Sequence, residues 1–140
     1  MPIAAVVADA NVLLSAVVGK AALRVFSDFE LPVHAAQFTA DEVAEYLPAL
    51  AAQYRLPAEL VVIQWKLLPL SVHEQHEYAR LLPAAQADLA ERDPEDAHAL
   101  ALARSLRLPL WSNDRDFERL DIKCYPTARL LALLRRQSEA

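Results

Sequence analysis

The sequence predicts an α/β protein built on a central, mainly parallel sheet. Short, continuously apolar runs alternate with longer stretches of helical periodicity, the pattern of strands covered on both faces and joined by crossover helices. One glycine in 140 residues and 55% hydrophobic content point the same way, toward Ala- and Leu-rich helices packed over apolar strands. A chain of this length buries about two thirds of the surface it exposes when unfolded, so residues 1–140 are expected to form a single domain without a covalent staple.

The elements follow in order. Ile3 to Ala8 (IAAVVA) is the first strand, with short helices at Asn11 to Val18 and Ala21 to Phe29 around Gly19. Pro32 to Ala36 is a second strand. Thr39 to Tyr54 is a helix with apolar positions at Val43, Leu47, Leu50 and Tyr54, followed by a helix from Pro57 to about Leu67. Leu68 to Val72 is a short strand, and Glu74 to Glu91 is helical, kinked or divided at Pro83. Pro94 to Leu106 forms a further helix, Leu108 to Trp111 and Ile122 to Tyr125 are strands, and Thr127 to Arg136 closes the chain. The nine prolines fall mostly between elements; no repeat, linker or low-complexity tract interrupts the pattern.

Composition narrows the functional classes. A lone cysteine, Cys124, excludes an internal disulfide and fits a reducing compartment. MPIAAVVADA lacks a basic leader region, and the apolar runs fall short of the roughly 20 residues of a membrane span, so a cytoplasmic protein with no membrane partner is expected. A formal charge of −5 argues against a broad phosphate-binding surface. Eight of the 14 basic residues but five of the 19 acids lie from Arg104 onward, so the last 37 residues carry +3 and the first 103 carry −8.

The acids stand at the ends of elements, where parallel sheets place their ligand sites. Asp9 closes the first strand in VVADANVLL; as a purely structural residue it caps the following helix, a role worth about 1 kcal/mol. Asn11, two residues on, is placed to hold that carboxylate or to bind a phosphate. Glu42 lies in FTADEV, where Thr39 to Glu42 spells a capping box that by itself accounts for it. Asp93 reads as a helix cap followed by Pro94 and Glu95. Asp96 shares a helix face with Ala99, Leu100 and Ala103, which turns its carboxylate inward, and buried charges need partners. Asp114 and Asp116 follow the strand in LPLWSNDRDF.

Capping does not require acids at four such ends. Two carboxylates about 4 Å apart repel by roughly 4 kcal/mol at an effective dielectric of 20, and a cation or protonation relieves that. Oxygen donors without a thiolate cluster select a hard divalent ion, Mg²⁺ or Mn²⁺. Such an ion activates water and stabilises charge on a phosphoryl group under attack, which points to phosphodiester hydrolysis.

With these motifs in place the chain resembles the PIN-domain nucleases, a family that includes the toxin ribonucleases of bacterial toxin–antitoxin pairs. The resemblance spans essentially the whole chain: the strand and D-x-N of VVADANVLLSA, the acid and apolar spacing of EVAEYL, the D-x-x-D-x-H-x-L-A-L-A of Asp93 to Ala103, and the S-N-D-x-D-F of Ser112 to Phe117. It implies a Rossmann-like three-layer α/β/α fold and metal-dependent cleavage of single-stranded RNA with Mg²⁺ or Mn²⁺. By matching position, Asp9, Glu42, Asp96 and Asp114 are implied as the metal-binding, catalytic carboxylates, Asp116 as an auxiliary ligand, and Asn11 and Ser112 as supporting residues. Glu45, one turn on, is the alternative to Glu42, and Asn113 stands where the family often has glycine. An antitoxin partner and a homodimer are implied in the same way.

Other readings compete. A phosphoaspartate-forming phosphatase or receiver domain also places an acid after its first strand, but Asn11 stands where the phosphatase needs a second acid and the expected lysine placement is missing. A catalytically silent PIN-like RNA- or protein-binding module is the other alternative. HEQHE (His73 to Glu77) spaces its histidines three apart, not four, and reads as a solvated helix face in place of a zinc motif. His98 lies about 200° round the helix from Asp96, for a structural or surface role, and Trp65 and Trp111, able to stack on bases, are expected in the core because each sits within an apolar run.

Overall fold

The computed structural model describes residues 2–90, 93 and 96–139. Its five strands are β1 (Val6–Ala8), β2 (Val33–Ala36), β3 (Leu70–His73), β4 (Leu110–Trp111) and β5 (Cys124–Tyr125), and its helices are α1 (Ala10–Val17), α2 (Leu23–Ser27), α3 (Gln37–Tyr54), α4 (Ala58–Leu67), α5 (Leu82–Asp88), α6 (Ala97–Leu106) and α7 (Thr127–Glu139). All the strand pairs are parallel, in the order β3-β2-β1-β4-β5. No described helix is long and apolar enough to cross a membrane.

Alternate residues of each strand feed two cores. Val6, Ala8, Val33, Ala35 and Trp111 pack with α1, α2, α3, α4 and α7, whereas Val7, Ala36 and Leu110 pack with α5 and α6. The result is a three-layer α/β/α sandwich, and covering both faces explains why β1 reads as an unbroken apolar run. From β1 the chain moves to β2 on one side, and from β4 to β5 on the other, so a crevice opens between the carboxyl ends of β1 and β4.

Several local expectations are corrected. The first strand starts at Val6, because the backbone of Ile3 is bonded by the Gln137 side chain of α7 in place of a neighbouring strand. The capping box at Thr39 does not form: α3 already begins at Gln37, and Thr39 is drawn into the protein interior. The helix over Glu74 to Glu91 is replaced by two 3₁₀ turns, Gln75–Glu77 and Ala79–Leu81, and then α5, which Pro83 helps to start. Glu91 and the proline and glutamate of the helix read from Pro94 lie outside the described residues. HEQHE is no helix face, since His73 ends strand β3. Tyr54, read as a core position of α3, is exposed at its end. With a single glycine available, the left-handed residues that end α3 and α6 are Arg55 (φ 54°) and Arg107 (φ 56°).

Candidate active site

Asp9 ends β1 and caps α1: its Oδ1 accepts the Val12 N–H at 3.0 Å. Capping and burial coincide here, for Asp9 is only 2% exposed. Burial raises its pKa above the ordinary carboxyl value, and the neighbouring charge of Asp114 pushes the same way. Hydrogen bonds from the Ser112 hydroxyl and from the backbone of Val12 and Asn11 oppose that rise without cancelling it.

Ser112, buried just after β4, is the link between the two acids. Its hydroxyl bonds Asp9, and its Oγ accepts the Asp114 N–H at 3.0 Å. Asp114 in turn caps the 3₁₀ turn Arg115–Arg119 by accepting the Asp116 N–H at 2.9 Å. The strand end is anchored from behind: the Trp111 indole N–H donates to Thr127 Oγ1 at 2.9 Å, and the Thr127 N–H donates to Asn113 Oδ1 at 2.8 Å. Cys124 lies within reach of the charges on Asp9 and Asp114; burial first, then those charges, push its thiol up to about 11, so it is a neutral neighbour and no nucleophile.

Beside this pair a cleft of about 540 Å³ runs between α1, α3 and the start of α6. Asn11, Glu42, Asp93 and Asp96 line it, together with Tyr46, Gln53 and Tyr54. Among the described residues that line it there is neither Lys nor Arg. Glu42 reaches it from the second turn of α3, whereas Glu45 is exposed elsewhere on the helix. Asp96 stands at the head of α6, its N–H donating to the Asp93 carbonyl at 3.2 Å.

The family model of the PIN domain matches residues 7–135, from the strand that presents Asp9 to the last helix. The chain belongs to the PIN-domain family. Two solved structures are similar to this PIN domain in fold. A toxin–antitoxin complex from Klebsiella pneumoniae matches with a TM-score of 0.62 and 19% identity, over 84% of this chain and 93% of the other. The crystal structure of PAE2754 from Pyrobaculum aerophilum matches with a TM-score of 0.68 and 19% identity, over 95% of this chain and 90% of the other. A comparison with curated protein sequences finds no match.

Within this PIN domain the sequence-derived residues fall into two neighbouring groups: Asp9, Ser112 and Asp114 at the crevice, and Asn11, Glu42 and Asp96 along the cleft. Asp116 belongs to neither, lining a separate surface hollow with Asp88 and Arg119. Among the described residues no three His, Cys, Asp or Glu side chains stand together as a metal-holding cluster. The donors nevertheless suit a hard divalent cation in kind: all are oxygens, and Asp9 carries a buried charge that its neighbours only partly offset. Asn113 is the residue whose role the sequence did not reveal. It caps the first turn of α7 across 14 positions of chain, a structural task of its own.

Proposed function

We infer that this PIN domain is a metal-dependent endoribonuclease that hydrolyses single-stranded RNA, with Asp9, Glu42, Asp96 and Asp114 as its metal-binding carboxylates. The observation that carries this reading is Asp9, a buried carboxylate at the crevice between β1 and β4 whose charge is opposed by burial and by Asp114. A folded protein gains nothing from such a group structurally that Asn would not supply as a helix cap. When bound, Mg²⁺ or Mn²⁺ supplies an activated water and neutralises charge at the scissile phosphate.

The chain's own residues have distinct tasks. Ser112 fixes the Asp9 carboxylate through its hydroxyl and holds Asp114 through that residue's backbone. Asn11, on the first turn of α1, offers an amide to a substrate phosphate, where the positive end of the helix favours an anion. Glu42 and Asp96 bring further carboxylate oxygens along the cleft. Asp116, facing another hollow, is at most an outer support for the Asp114 turn.

The likeness to a toxin–antitoxin complex supports a toxin role with an antitoxin partner; a cytoplasmic homodimer is proposed on the family resemblance alone. A second reading, a catalytically silent PIN-like module, is favoured by the absence of a preassembled three-ligand cluster among the described residues. The two are separated by incubating mixed single-stranded RNAs with the protein in Mn²⁺, Mg²⁺ or EDTA, alongside Asp9→Asn and Asp96→Asn. Metal-dependent cutting that both substitutions abolish supports the nuclease; identical behaviour of all three proteins, with or without metal, supports the module.

A further inference from the structure

Helix α4 is apolar on two opposite sides, and the fold covers only one of them. Val61, Val62 and Trp65 gather on the side packed into the core, whereas Leu60, Ile63 and Leu67 fall on the other, roughly 170° round the axis. These three are 44%, 53% and 70% exposed. An ordinary surface helix turns polar and charged residues to that side. Val72 continues the patch onto edge strand β3, where the pleat turns it to the same side as Leu70, whose side chain packs with the core beneath α4.

The spacing and the flanking charges point to what covers this stripe. Leu60, Ile63 and Leu67 recur at intervals of three and four, the seam of a short coiled coil. Glu59 and Lys66 each precede a seam leucine, so they share one flank of the stripe at opposite ends of the helix. Both are exposed, and neither takes part in an ion pair among the described residues. Their order suits the helix dipole, and it also makes the stripe complementary to itself. When α4 meets a copy running the opposite way, two-fold symmetry sets Ile63 against Ile63 and Leu60 against Leu67, and brings Glu59 to Lys66 twice over. In a parallel pair the same flank meets the uncharged Gln64, and both ion pairs are lost.

We propose that α4 pairs antiparallel with α4 of a second copy of this chain, the two-fold axis passing near Ile63 and Val72 lying at the margin of the contact. This gives the homodimer of the functional reading a definite surface. The surface itself rests on α4 alone, so it stands or falls apart from RNA cleavage. A helix of 10 residues is about 15 Å long, and stable interfaces cover roughly 800 Å² on each partner, so the pair is expected to dissociate in the micromolar range.

The test is sedimentation velocity of the whole protein at low salt, from about 1 µM to about 100 µM, with circular dichroism to show that each variant is folded. The wild type should pass from monomer to dimer over that range, and Ile63→Glu should stay monomeric. Glu59→Lys brings like charges together at both ends of the seam, as does Lys66→Glu, so each alone should weaken the dimer about tenfold. The double variant Glu59→Lys/Lys66→Glu, and an equimolar mixture of the two single variants, should dimerise like the wild type. A wild type that stays monomeric overturns this surface and the homodimer together, and leaves the stripe to a different occupant. A dimer indifferent to Ile63→Glu and to both charge reversals refutes the surface and leaves a homodimer built elsewhere. Charge reversals that weaken the dimer and are rescued neither by the double variant nor by the mixture refute the antiparallel pairing.

Discussion

Two polar groups sit at the carboxyl edge of the same sheet and are treated in opposite ways. On the β2–β3 side, His34 Nδ1 and His73 Nε2 are 2.8 Å apart, and Glu77 lies 3.0 Å from His73 Nδ1, a chain in which each member has a partner. Beneath it, His98 is buried on α6, stacked 3.9 Å from Phe38 and bonded at 2.7 Å to the Tyr78 hydroxyl. Burial pushes that phenol up to about 12 and lowers the pKa of the imidazole, so the bond joins two uncharged groups. At the β1–β4 side, Asp9 is buried as deeply but remains an acid facing another acid. A satisfied polar network is a structural device, whereas a charge left only partly compensated marks the place where a ligand is expected to complete the balance.

The sharpest way to break this contrast is Asp9→Asn. The amide oxygen keeps the cap on α1 while the buried charge disappears, so melting temperature should hold or rise, whereas RNA cleavage should fall by about a hundredfold or more. Thermal unfolding and single-turnover cleavage check both halves, and a loss of stability comparable to the loss of activity would erase the distinction. His98→Ala should do the reverse. Removing a buried ring, its stack and its hydrogen bond is expected to cost about 2–4 kcal/mol in denaturant titration, with cleavage per folded molecule unchanged.

Ser112→Ala tests the link between the acids. Loss of the hydroxyl that holds Asp9 and of the oxygen that holds Asp114 should weaken activation by Mn²⁺ by about tenfold, seen as a rightward shift of the metal dependence. The smallest effect concerns pH. Burial lowers the pKa of His98 from 6.5, and burial together with the neighbouring His73 lowers that of His34. Below 6.5 the unfolded chain binds protons that the folded one refuses, so stability present above that value is lost as pH falls through the folded-state pKa values. Each histidine contributes no more than about 1.4 kcal/mol per pH unit, and His34→Gln should flatten the slope of melting temperature between pH 7.5 and 5.5.

The same contrast explains what was legible in the sequence. Strands covered on both faces lose their polar alternation, so β1 and its terminal Asp9 stand out, and the helix face that Asp96 shares with Ala99 and Leu100 singles it out, whereas Glu42 reads locally as part of a capping box and is picked out as a site residue only by the family resemblance. Where local chemistry conflicted with tertiary burial, the local reading failed. Thr39 followed by Glu42 spells a capping box, but the interior claims the threonine and the helix starts earlier. His73 looks helical beside Glu74 and Glu77 only until strand β2 supplies His34 and a parallel partner. The Asn113 to Thr127 bond and the Tyr78 to His98 bond join residues 14 and 20 apart, and no short-range pattern announces such pairs.

Mn²⁺ binding, followed by isothermal titration calorimetry on the wild type, Asp9→Asn and Asp96→Asn, tests most directly whether the acids of the crevice and the cleft act as one cation site. Saturable binding by the wild type that either substitution abolishes, with both variants still folded by circular dichroism, is the predicted result. Equal Mn²⁺ binding by all three proteins would contradict it and return Asp9 to the role of a helix cap.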